Sequence, residues 1–150
     1  MIPAEPSAIL AYKHATTDKG GSDLVLRIRP LEGLYGICRL DPTEPVPAWA
    51  SRGEFSSISR STAELSIVCV QRAIPDTVRC DRDWRVLEVE GPLDFALVGI
   101  LADLSSALAR ADISLFAVST FDTDYLAVHE ADFAASVRAL REAGHTVQGD

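Results

Sequence analysis

The spacing of apolar residues along the chain changes character several times, and each change marks an element. From Leu24 to Arg29, the residues Leu24, Leu26 and Ile28 fall on one face and Arg27 and Arg29 on the other, the period of a half-buried strand. Leu34 to Leu40 alternates less cleanly. Pro42, Pro45 and Pro47 then force a loop from Asp41 to Pro47, after which Trp49 anchors a short turn onto the core. Phe55 to Arg60 and Glu64 to Val70 read as two strands joined by Ser61, Thr62 and Ala63, and Pro75 to Asp83 reads as a polar linker.

In the second half the period switches from two to 3.6 and back, twice. Trp84 to Glu90 is a predicted strand with Leu87 and Val89 facing in, ended by Gly91 and Pro92. From Phe95 to Arg110, the residues Leu97, Ile100, Leu101, Leu104 and Leu108 form one stripe of an amphipathic helix, with Asp94 placed to favour its positive end. Ile113 to Ser119 and Tyr125 to Val128 are predicted strands around the tight segment Thr120 to Asp124. A second helix follows from Ala131 to Ala143, with Phe133, Val137 and Leu140 on one face and Gly144 as its stop. His145, Thr146 and Val147 remain for a last short strand. The order is βαββαβ, the ferredoxin-like arrangement of two helices on one face of an antiparallel sheet.

A short internal echo extends this reading to the first half. Ser59 to Val68 can be laid on Ser119 to Val128 without a gap, and Tyr35 to Ile37 resembles Val98 to Ile100. The expected organisation is an extension over residues 1–22, a degenerate β-rich copy over 23–81 with its helices eroded to loops, and a full α+β unit over 82–150.

Composition narrows the function classes. At 150 residues, of which 47% are hydrophobic and 24% charged, the chain has material for one domain or two small units sharing a core. A net charge of −8 argues against a surface that neutralises phosphates, so nucleic acid is not an expected partner. The longest apolar runs, Leu65 to Val70 and Phe95 to Leu101, are too short to cross a bilayer, and residues 1–19 lack the pattern of a secretory signal. A cytoplasmic protein without membrane contact is expected. Cys38, Cys69 and Cys80 fit no metal-ligand spacing, so Cys38 and Cys69 are read as small core residues and no disulfide is expected. His14, His129 and His145 are scattered outside any nucleophile or metal motif, and Gly20 and Gly21 lack the Lys and Ser or Thr of a phosphate loop. No catalytic residue, metal or cofactor is expected. Trp49 and Trp84 suit core or seam anchors.

Two places carry candidate binding chemistry. Gly99, near a helix start, lets a carboxylate approach backbone N–H groups at the positive end of the helix; equally, it lets the helix pack close to the sheet. Asp124, at the mouth of the Thr120 to Asp124 bend, can accept an ammonium through a charge-assisted hydrogen bond, or serve with Asp122 as a turn former. Thr120 and Phe121 offer a hydroxyl and an apolar wall, or ordinary strand-end packing.

The stretch GPLDFALVGIL from Gly91 to Leu101, followed by Ala111 to Ser114, resembles the ACT-domain pattern. More narrowly, STFDTDYLAV from Ser119 to Val128, with ELSIVC from Glu64 to Cys69 upstream, is similar to the tandem ACT proteins grouped with the CASTOR arginine sensors. The likeness covers Leu24 to Val147. It implies a non-catalytic regulatory protein of paired ACT units, with an amino acid or similar small metabolite held at a seam between units, self-association into a dimer, and a regulated protein partner. The family's ligand-contacting positions fall here on Leu97, Val98, Gly99 and Ile100, on Ser114 and Leu115, and on Thr120, Phe121, Thr123 and Asp124. The arginine-sensing members place acidic residues where this chain has Ala96 and Leu97, which opens the site to a neutral or apolar amino acid. An ACT-like assembly module that has lost its ligand is the alternative.

Overall fold

A computed structural model of the chain describes residues 24–93 and 97–149. Among these residues the order is β1 (Arg27–Pro30), β2 (Tyr35–Leu40), β3 (Ser57–Arg60), β4 (Leu65–Val70), β5 (Cys80–Val89), α1 (Ile100–Arg110), β6 (Phe116–Ser119), β7 (Asp124–His129), α2 (Phe133–Glu142) and β8 (Thr146–Val147). Short 3₁₀ turns lie at Ala48–Ser51, Gln71–Ala73 and Glu130–Asp132.

The ladders resolve into two overlapping copies of one plan. In the first, β3, β4, β2 and the opening of β5 are neighbours in that order, all antiparallel. In the second, β6, β7 and β5 are neighbours, and β8 lies on the far side of β5. The first follows the ferredoxin-like order, with the fourth strand beside the first and the third on its other side, and the second follows it with one strand inserted between its first and fourth. Strand β5 serves both, as fourth strand of the first unit through Cys80 and Asp81 and first strand of the second through Trp84 to Val89. Strand β1 intervenes in the second unit: it pairs antiparallel with β5 through Ile28 and Val89, and parallel with β8 through Ile28 and Val147.

The 3.6-residue stripe puts Ile100, Leu104 and Leu108 of α1 and Leu140 of α2 onto Leu26, Ile28, Leu87, Val89, Leu126, Val128 and Val147, the helix-side core. The other side chains of β5, Trp84 and Val86, point to the opposite face. There they meet Leu31, Tyr35, Phe55, Val68, Val70, Val118 and Ala127, so the first unit folds over the open face of the second. In the first unit a smaller cluster of Cys38, Leu40, Ala50, Leu65, Ile67, Cys69 and Ile74, flanked by Trp49, takes the place of the helix-side core.

Several boundaries move from their expected positions for identifiable reasons. Helix α1 starts at Ile100, not Phe95, because Gly99 has φ of +84°, outside the helical region, and its carbonyl accepts the first helical bond from Asp103 N–H at 2.9 Å. The expected Asp94 cap lies outside the described residues, as does the 1–22 extension. Strand β5 begins inside the expected linker. Its first residues, Cys80 to Asp83, pair only with β2, so their charged side chains stay wet and give no apolar signal. The ladder shifts between Tyr35 and Ile37, and there the Gln71 amide stands in for a strand: its Oε1 accepts from Asp83 N–H at 2.7 Å, and its Nε2 donates to Asp83 Oδ1 at 3.0 Å.

The internal echo has a structural counterpart one residue away from the sequence match. Ser61 N–H donates to Glu64 C=O at 2.9 Å and Thr120 N–H to Thr123 C=O at 2.8 Å, so Ser61, and not Arg60, is equivalent to Thr120. The likeness between Tyr35 to Ile37 and Val98 to Ile100 is not structural, since Gly36 lies within β2 and Gly99 precedes α1.

Candidate functional site

A concavity bounded by polar groups lies where β5 ends against the β6–β7 hairpin. Gly91 lets the two segments meet: a Cβ there would lie 2.9 Å from Asp122 O and 3.1 Å from Thr123 Cβ. Leu93 N–H donates to Asp122 C=O at 2.7 Å, and the Thr123 hydroxyl, in a buried residue, donates to Val89 C=O. Within the turn, Thr120 Oγ1 donates to Thr123 C=O at 3.0 Å. Beside this join is a cleft of about 360 Å³ lined by Glu88, Gly91, Pro92, Thr120, Asp122, Thr123 and Tyr125.

The floor of the cleft is a charged network on an otherwise apolar face. Glu88 Oε1 accepts from the Tyr125 hydroxyl at 3.0 Å, and its Oε2 takes both Nε and Nη2 of Arg29, with Nε at 3.1 Å. Arg29 also reaches Glu54 of the first unit at 2.7 Å, and these two hydrogen bonds, Glu54 first, raise its pKa further above the usual guanidinium value. Phe55 stacks on Tyr125 with centroids 4.1 Å apart. Burial, then the hydrogen bond to Glu88, pushes the Tyr125 phenol up to about 12, so at neutral pH it stays a donor. Glu54 and Phe55 of the first unit thus brace the wall of a cleft in the second.

The structure distributes the expected site residues over three environments. Thr120 and Thr123 line the cleft. Asp124 opens β7 beside it, its carboxylate accepting from the Ser119 hydroxyl at 2.5 Å. Phe121, at the hairpin tip, is 78% exposed. Leu97 and Val98 are 43% and 67% exposed ahead of α1, and Gly99 caps it. Ile100 belongs to the helix-side core, Leu115 packs against it, and Ser114 is exposed between α1 and β6. Glu88, Gly91, Pro92 and Tyr125 were not singled out as site residues, although Glu88 carries a visible signal: a carboxylate two positions from Val86 on a strand face that is otherwise apolar.

Among the described residues no group of three or more His, Cys, Asp or Glu is placed to hold a metal ion, and no helix is long and apolar enough to cross a membrane.

Two successive ferredoxin-like units sharing a strand, with a polar cleft at a strand-end loop, define a tandem ACT-type module. The ACT-domain family matches residues 79–142, and a second family, described as an N-terminal domain, matches residues 33–77. Residues 79–142 thus form an ACT domain, and the chain is a tandem ACT-type protein resembling the CASTOR-like group. Protein Atu0741 from Agrobacterium tumefaciens is 41% identical, with a TM-score of 0.79 over 83% of this chain and 93% of that one. The cytosolic arginine sensor for mTORC1 subunit 1 from Homo sapiens is 37% identical over 59 residues, 39% of this chain. This chain spans 18% of that relative's length. The ligand-free regulatory subunit of aspartate kinase from Thermus thermophilus shares the fold, with a TM-score of 0.55 at 13% identity over 76% of this chain and 94% of that one.

Proposed function

We propose that the protein is a non-catalytic regulatory module whose cleft between Gly91 and the β6–β7 hairpin takes a free amino acid. The carrying observation is the cleft itself: about 360 Å³, within the range of small-ligand sites, with carboxylates, hydroxyls and a tyrosine converging on it. Asp122 and Glu88 offer acceptors for an ammonium, with Asp124 holding the hairpin in place through Ser119. The hydroxyls of Thr120 and Tyr125 orient the rest of the ligand. A second copy covering the exposed Leu97, Val98 and Phe121 would close the site as a dimer seam. Occupancy that binds one arrangement of the pair better than another is then the signal passed to a protein partner. Two relatives support this reading, one an arginine sensor and the other a kinase regulatory subunit.

The test is a thermal-shift screen of the twenty amino acids at millimolar concentration. A ligand that binds only the folded state adds about 2.7 kcal/mol of apparent stability at a hundredfold excess over Kd. Asp122→Ala should abolish the shift and leave the oligomeric state unchanged. If no amino acid shifts the midpoint, the sensing role is lost. The same exposed residues Leu97, Val98 and Phe121 favour a second reading, an assembly module without ligand. That reading gains if Asp122→Ala changes nothing while Phe121→Ser dissociates the oligomer.

A further inference from the structure

At the opposite end of β5 from the cleft, three thiols gather under the 3₁₀ turns of the first unit. Cys38 and Cys69 are buried, Cys80 is half-buried, and all three are free. Their strand positions decide which pair can bond. Cys69 lies on β4 and Cys80 on β5, with β2 between them, so their Cα atoms are about two strand spacings, ~9–10 Å, apart. Cys38 is paired with Ile67, which makes Cys69 its diagonal neighbour at about 7–8 Å. Both separations exceed the ~7 Å limit for a disulfide. Cys38 and Cys80 are directly opposite each other in the β2–β5 ladder, with Sγ atoms 3.3 Å apart.

The ladder also favours this pair. Arg39 N–H donates to Arg79 C=O at 3.0 Å, so Arg39 and Arg79 form a hydrogen-bonded pair, and the next pair along, Cys38 and Cys80, is the non-hydrogen-bonded kind with closer side chains. Space for the sulfur is left by a missing side chain: a Cβ at Gly36 would come within 2.5 Å of both Cys80 Sγ and Ile74 Cδ1. Burial holds the Cys38 thiol above its ordinary range and pushes Cys69 up to about 11.

We infer that Cys38 and Cys80 are a redox modification site, closed to a cross-strand disulfide by hydrogen peroxide and reopened by a dithiol. Cys80, the solvent-reachable member, loses its proton, and its thiolate attacks one peroxide oxygen; the O–O bond breaks, and the product is a sulfenic acid and water. Cys38 sulfur then attacks the Cys80 sulfur, the S–O bond breaks, and the departing hydroxide takes the Cys38 proton as a second water. Two thiols are oxidised by two electrons and one peroxide is reduced. The new bond fastens the first unit to the strand it shares with the second. Cross-links of this kind in reducing compartments are transient and serve as redox sensors.

The experiment treats the purified chain with hydrogen peroxide and quenches with an alkylating agent. The expected result is a fall from three free thiols to one, with the unalkylated chain lighter by two hydrogens and restored by dithiothreitol. Trypsin cuts after Arg39, Arg60, Arg72 and Arg79, which puts the three cysteines on separate peptides, so the Cys38–Cys80 link is directly visible. The oxidised chain should melt at a higher temperature, and Cys80→Ala should keep both its thiols through the same treatment. A full complement of wild-type thiols after treatment would overturn the assignment. So would a link to Cys69 or between chains, thiol loss that persists in Cys80→Ala, or a melting temperature that fails to rise.

Discussion

The hairpins at Ser61–Glu64 and Thr120–Thr123 have the same backbone closure and different surroundings. In each, the first residue of the turn donates its N–H to the carbonyl of the last, and its hydroxyl accepts from an N–H of the turn. At the second hairpin, the Gly91 backbone comes down against the turn and Thr123 ties it to Val89. At the first, the position of Thr123 is taken by Glu64, which makes a partly exposed ion pair with Arg39 at 3.5 Å. The difference begins in the strand-to-helix connection. After β5 its backbone packs directly on the hairpin before α1 begins, whereas after β2 it runs through Pro42, Pro45 and Pro47 into a 3₁₀ turn and meets its hairpin through the Arg60 side chain, which donates to the Pro42 and Glu44 carbonyls. A cleft on this fold is therefore made by the connection that packs on a hairpin, and the hairpin alone does not suffice.

Substitutions in the two cores test how far the units are separate. Leu104 and Leu65 are both fully buried, one on the core-facing side of α1 and the other in the smaller cluster. Leu104→Ala and Leu65→Ala should each cost about 2–5 kcal/mol. Because β5 belongs to both units, both should lower the midpoint of the same single transition in urea. A second transition that only one variant moves would show that the shared strand does not couple them.

The hairpins themselves should respond unequally. Thr123→Val removes the hydroxyl and leaves the Val89 carbonyl without it, at a cost of about 1–3 kcal/mol. Glu64→Ala, at the equivalent position, removes only an exposed pair and should stay within about 0.5 kcal/mol. Equal losses in denaturant melts would contradict the claim that Thr123 clamps its hairpin and Glu64 does not.

The smallest effect is expected at alkaline pH, where the first unit touches the second. The Tyr125 phenol is held at about 12 against 10.0 for the free group, by burial and by Glu88. With the folded value raised, the unfolded chain releases its proton first. The stabilisation is then complete below pH 10 and lost as pH rises toward 12. Cys69, pushed up to about 11, contributes a loss of the same sign, so the informative quantity is the difference between wild type and Tyr125→Phe. Chemical melts from pH 9 to 12 should fall less steeply for the variant, and parallel curves would remove Tyr125 from the account.

Much of this architecture was legible because burial on one face writes a period into the chain. The stripe of Ile100, Leu104 and Leu108 and the alternation around Leu87 and Val89 specified the helix-side core and with it the fold. The first residues of β5 were hidden because a strand paired on one side only tolerates Asp81 and Asp83. The start of α1 was misplaced because Leu97 continues the stripe of Ile100, Leu101, Leu104 and Leu108, and only the backbone at Gly99 shows where the helix begins. Of the cleft, Thr120 was legible as a hydroxyl at the bend and Asp122 as a turn former, whereas Thr123 entered only through the family resemblance. Glu88 was not picked out, since its meaning depends on Arg29, Glu54 and Tyr125, which come from three separate stretches of the chain.

The sharing of β5 has a consequence for anyone recombining such modules. The two family matches meet between residues 77 and 79, just ahead of this strand, and neither includes β1. A chimaera cut at that border would carry the first module away without its fourth strand, leaving β2 with an uncovered edge, while the second would part from β1, the strand that joins its last strand to the sheet. Swapping these halves between relatives requires the crossover to be placed after Val89, with β5 duplicated in the recipient.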